Sequence, residues 1–89
     1  MQTVSPQDLG ARLENGEHWT IVAWRPALHM SDYCHPEYRD GLHQGLVLGP
    51  IHMRAINKYL ATSRYALIVK DDKGQVLRVA KNARSEPEE

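Results

Sequence analysis

Tyr65-Ala66-Leu67-Ile68-Val69-Lys70-Asp71-Asp72-Lys73-Gly74-Gln75-Val76-Leu77-Arg78-Val79-Ala80-Lys81 is the stretch on which the fold turns. Two runs rich in β-branched and aromatic residues, Tyr65 to Lys70 and Gln75 to Lys81, flank Asp71-Asp72-Lys73-Gly74. Glycine at the end of that polar link suits a turn position with positive φ, so the stretch predicts a β-hairpin. Leu67, Val69, Leu77 and Val79 recur at every second position and are candidates for one buried face.

Working back towards the N-terminus, Ile51 to Thr62 predicts a helix. Ile56 and Leu60 are one turn apart, Met53 and Tyr59 flank the same side, and Arg54, Asn57 and Lys58 fall on the other. Gly49-Pro50 separates this helix from Leu46-Val47-Leu48, a short strand. Trp19 to Trp24 predicts another strand, apolar on both faces and halted at Arg25-Pro26, since proline has no amide proton for a ladder. Ser5-Pro6-Gln7-Asp8 predicts a helix start: a capping hydroxyl, proline at the first helical position and an acidic residue at the capping-box place. Leu9 and Leu13 share one face of that helix, and Asn15-Gly16 ends it.

The expected architecture is therefore α+β, in the order α-β-β-α-β-β: a four-stranded, mainly antiparallel sheet with two helices on one face and a C-terminal hairpin. Trp19, Trp24, Ile21, Val22, Leu67, Val69, Leu77 and Val79 are expected to form most of its core. The 89 residues suit one domain, expected over 1–83, with 84–89 as a disordered acidic tail.

Composition narrows the function classes. Eleven basic residues balance eleven acidic ones, which argues against a dedicated DNA or membrane binder. No apolar run approaches the ~20 residues that cross a bilayer. Cys34 is the single cysteine, so no internal disulfide is expected, and the N-terminus shows no secretory pattern. A cytoplasmic protein is the expectation. The phosphate-binding glycine loops and the H-E-x-x-H zinc motif are missing, and no cofactor is expected.

The unusual segment is 26–43, eighteen residues too irregular to be a passive link. Four of the five histidines, His29, His35, His43 and His52, fall within 24 positions. Could they hold a metal? His29, Cys34, His35 and His43 offer imidazole and thiol groups, but their spacings differ from the paired-ligand patterns of zinc sites. Cys34 beside His35 superficially suggests a thiolate pair, yet catalytic partners usually come from separate elements. The favoured expectation is a non-enzymatic interaction or regulatory module. Its surface would be formed by His29, Met30, Tyr33, His35 and Tyr38, a mixture suited to a protein partner. A metal-binding or thiol-dependent enzyme using His29, Cys34, His35 and His43 is the alternative.

Two pieces resemble the rhodanese (sulfurtransferase) domain. Val4 to Leu9 through Trp19 to Val22 is similar to that family's opening helix and first strand. Glu37-Tyr38-Arg39-Asp40-Gly41, with Gly45 four residues on, is similar to its E-Y-x-x-G-H-x-x-G segment. The resemblance implies a parallel sheet and thiol chemistry. Departures are explicit: the histidine stands one place late at His43, Trp24 replaces an aspartate, and Lys70 to Gly74 carries no cysteine where the family's cysteine loop follows a strand.

Charge is unevenly distributed. From Ile51 to Arg84 eight basic residues (Arg54, Lys58, Arg64, Lys70, Lys73, Arg78, Lys81, Arg84) face two acidic ones, Asp71 and Asp72. Nucleic-acid binding through this 51–84 region is a further expectation, ranked below a solvated surface. Homodimerisation through an exposed edge of the C-terminal hairpin is another.

Overall fold

A computed structural model of the chain describes residues 1–26, 41–62 and 65–81. The elements run β1 (Gln2–Val4), α1 (Pro6–Glu14), β2 (Trp19–Pro26), β3 (Val47–Leu48), α2 (Met53–Leu60), β4 (Tyr65–Asp71) and β5 (Val76–Val79). A 3-10 turn over Pro50–His52 leads into α2. Both helices and the hairpin stand where the sequence places them.

The hairpin forms as its link requires. Asp71 Oδ1 accepts from the amides of Lys73 and Gln75 at 2.9 and 2.8 Å, and Gly74 takes φ +87°. An aspartate folding its carboxylate onto the following amides presets the reversal, and glycine closes it without a Cβ clash.

The α1 cap also follows the sequence, with one change. Ser5 Oγ accepts from the Asp8 amide at 3.1 Å. The Asp8 carboxylate does not complete the box but takes Arg12 Nε at 3.1 Å, one turn along the helix. At the other end Asn15 caps the helix and Gly16 adopts φ +89°.

The sheet has five strands, in the order β1-β5-β4-β2-β3. This corrects the expected four: residues 2–4 form β1, which pairs in parallel with β5 (Gln2 with Leu77, Thr3 with Arg78, Val4 with Val79). A three-residue run ahead of a helix has too few positions to show alternation. The other three pairings, β2 with β3, β2 with β4 and β4 with β5, are antiparallel. The parallel sheet implied by the rhodanese resemblance is therefore not built, and Lys70 to Gly74 ends β4 and turns into β5.

One face of the sheet carries the core. Leu9 and Leu13 of α1 and Ile56, Tyr59 and Leu60 of α2 meet Trp19, Ile21, Trp24, Leu67, Val69, Leu77 and Val79 from the strands, with Val4, Leu42 and Leu48 completing the cluster. Val22 is the exception to the expected core. The pairing of β2 with β4 shifts between Ile21 and Ala23, and Val22 is only half-buried. That bulge adds one residue to the strand, which lets Trp19 and Trp24 face the same side although they are an odd number apart. Arg25, next after Trp24, consequently faces away from the helices.

Candidate functional site

Of the residues expected to form the interaction surface, His29, Met30, Tyr33, His35 and Tyr38 lie outside the described residues, as does Cys34. Only the two ends of the 26–43 segment are described. On the near side Trp24 is fully buried, two residues before Pro26. On the far side the chain turns through Gly41 at φ +76° and drops Leu42 into the core, also fully buried. The two are joined directly: the Trp24 indole Nε1 donates to the Leu42 carbonyl at 3.4 Å in a buried position. Edge-to-face contacts of Trp24 with Tyr59 and Tyr65, with centroids 5.8 and 6.3 Å away, hold the indole in place. The segment thus starts and ends at one fixed point of the core.

The histidines that are described do not converge. His43 is exposed and its Nδ1 lies 3.0 Å from the Gln44 carbonyl. His52 Nδ1 accepts from the Gly49 amide at 3.0 Å, which closes the turn into α2. His18 stands 3.6 Å from Asp72 across the hairpin end, both well exposed. Among the described residues no three metal-ligating side chains come together. The set His29, Cys34, His35 and His43 has only His43 within the described residues.

A groove of about 400 Å³ lies where the end of α1 meets the β4–β5 turn. At its α1 end the charges are engaged with one another. Arg12 bridges Asp8 and Glu17 at 3.1 and 3.9 Å and lies over the Trp19 ring at 5.7 Å. Glu17 in turn accepts from Trp19 Nε1 at 2.8 Å. These contacts seal α1 to the sheet, so the groove is better understood as a packed seam than as a receptor.

The described basic residues of 51–84 do not share one surface, and Arg64 and Arg84 lie outside the described residues. Arg54 and Lys58 lie on the outer side of α2, with the Lys58 ammonium 5.8 Å from the Tyr59 ring centre. Lys73 is in the hairpin turn, and Lys81 Nζ donates to the Ala61 carbonyl at 2.9 Å, at the C-terminal end of α2 where a cation is favoured. Lys70 and Arg78 alternate with inward-facing neighbours and occupy the side of the sheet away from the helices. Arg25, outside that basic region in sequence, joins them. The signal for it was present: once Trp24 is inside, strand alternation puts its neighbour outside. The bulge that puts Trp24 inside is what the sequence did not display.

No family model, no curated protein and no solved structure matches this chain. No helix among the described residues is long and apolar enough to cross a membrane.

Proposed function

We propose that the chain is a non-enzymatic module that binds a partner protein through the 26–43 segment. His29, Met30, Tyr33, His35 and Tyr38 supply the contact, and the cytoplasm is the setting that the lone cysteine favours. The observation that carries this reading is the Trp24–Leu42 junction, which fastens both ends of the segment to one buried point. A connection held at its base by a rigid scaffold presents side chains at a defined place, and such connections commonly carry binding residues. Tyrosine makes a large contact with few rotatable bonds to freeze, and methionine adapts its shape to a partner surface; both are enriched at interfaces.

The test is affinity capture with the full chain, run in parallel for the wild type and a Tyr33→Ser/Tyr38→Ser variant of equal melting temperature. Loss of the same captured protein in the variant is the expected result. Equal recovery by both forms would remove the segment from the account.

A further inference from the structure

Asn15 and Gly16 close α1 and lead towards β2, and both are exposed. The helix ends in a Schellman arrangement: the Gly16 amide donates to the Leu13 carbonyl at 3.0 Å and the Glu17 amide to the Arg12 carbonyl at 3.1 Å. The side-chain amide of Asn15 makes no hydrogen bond to any described residue. Apart from its chain neighbours, no atom lies within 4 Å of where a Cβ on Gly16 would stand. In an asparagine–glycine pair the following backbone nitrogen reaches the side-chain carbonyl more easily than in other pairs, because glycine has no Cβ to obstruct the approach and its backbone turns freely.

We propose that Asn15-Gly16 is a site of spontaneous deamidation, gated by opening of the last turn of α1. The Gly16 nitrogen attacks Asn15 Cγ and closes a cyclic imide. The side-chain nitrogen leaves as ammonia, taking the proton lost by Gly16. Water then opens the ring at either carbonyl, which gives aspartate or an isoaspartyl linkage, and no oxidant or reductant takes part. The fold sets the rate. With Asn15 at ψ 1° the Gly16 nitrogen points away from the side chain, and its proton is held by Leu13. Attack waits for rotation about the Asn15 Cα–C bond and loss of the Gly16–Leu13 bond, a local opening that leaves the core in place. Glu17 resists that opening. It lies 3.9 Å from Arg12 and accepts from Trp19 Nε1 at 2.8 Å, so the far side of the turn is fastened to a buried indole.

The product disturbs the join between α1 and β2. A carboxylate at position 15 stands at the negative end of the helix, between Glu14 and Glu17 in sequence. The isoaspartyl form also routes the main chain through the former side chain and adds a backbone atom, which breaks the spacing of the Gly16–Leu13 and Glu17–Arg12 bonds. Only Glu17 and His18 separate Gly16 from Trp19, whose place is fixed by pairing with Leu48 and Asp71. Asn57, the other asparagine among the described residues, lies inside α2 before Lys58 and serves as an internal reference. This proposal does not rest on the 26–43 reading.

The full chain is incubated for several weeks at mildly alkaline pH, once in native buffer and once in guanidinium chloride, and then mapped by mass spectrometry with fragmentation that separates isoaspartate from aspartate. A mass gain at residue 15 and none at residue 57 is expected, at least about tenfold slower in the native than in the denatured sample. Glu17→Ala is expected to raise the native rate roughly three- to tenfold and to leave the denatured rate unchanged, while Asn15→Gln abolishes the gain. Should Glu17→Ala not fold, Glu17→Gln keeps an acceptor for Trp19 and loses only the charge pair, with an expected rise of about twofold. The separated isoaspartyl protein is expected to melt below the unmodified chain. No gain at residue 15 in the native sample while the denatured one reacts, equal rates in the two, a Glu17 variant no faster than wild type, or an isoaspartyl product of unchanged melting temperature overturns the proposal.

Discussion

Gly10 stands inside α1 where its only near neighbour is the side chain of Met53: a Cβ there would meet the Met53 Cε at 3.7 Å and Cγ at 3.8 Å, ordinary contact distances. Glycine in a helix interior costs about 0.5–1 kcal/mol relative to alanine. Gly10→Ala is therefore expected to stabilise the protein by about that amount, read as a higher urea midpoint at unchanged slope. Leu42 is the opposite case. It is fully buried and anchors the far end of the 26–43 segment, so Leu42→Ala is expected to cost about 2–5 kcal/mol through the cavity it leaves. The same variant should be cut faster by protease between residues 27 and 40 under native conditions, because its anchor is weakened. Unchanged proteolysis would dissociate Leu42 from the segment. At this scale the sequence was informative about helix faces, where Leu9, Leu13, Ile56 and Leu60 were read correctly by spacing. It was uninformative about Leu42, an isolated leucine between glycine and histidine whose burial depends entirely on tertiary contacts.

Among the elements, β2 depends on a single extra residue. Removing Val22 would restore regular alternation with Trp24 still inward, because Ile21, Ala23 and Trp24 then pair in unbroken order with Val69, Ile68 and Leu67; an added residue between Ala23 and Trp24 would instead turn Trp24 outward and Arg25 inward. That insertion is expected to abolish cooperative unfolding, seen as loss of the near-ultraviolet tryptophan signal, whereas deletion of Val22 keeps both and Val22→Ala should cost under about 1.5 kcal/mol. Strand β1 closes the outer side of β5, the edge from which pairing with a second copy was expected. With residues 2–4 in that place, the hairpin edge is occupied and the sheet ends at β1 and β3. A chain lacking residues 1–4 exposes the β5 edge and is expected to associate with rising concentration in sedimentation experiments, at a lower melting temperature. The elements legible in advance were those with a local signature: the Ser5 cap, the Asp71–Gly74 turn, the spacing in α2. β1 and the bulge were not legible, because a short edge strand and a register shift are decided by the partner strand.

For the whole molecule, composition alone describes a neutral domain. Among the described residues the carboxylates lie about α1 and the hairpin end, while Arg25, Lys70 and Arg78 lie on the side of the sheet away from the helices. The core lies under the helices, and the 26–43 segment starts and ends at the buried Trp24–Leu42 contact. Of the candidate site, only the existence of an irregular, aromatic and histidine-bearing segment could be read from the sequence. How its ends are fastened follows from a hydrogen bond between residues 18 apart. The central claim, that this segment is where a partner protein is met, is tested most directly by site-specific photo-crosslinking. A photoreactive amino acid is placed singly at Tyr33, at Tyr38 and, as a reference, at Lys58 on the outer side of α2, and binding is allowed in extract before irradiation. Crosslinks to one and the same protein from positions 33 and 38, with none from 58, are the predicted result; crosslinks from 58 alone, or equally from all three positions, would contradict it.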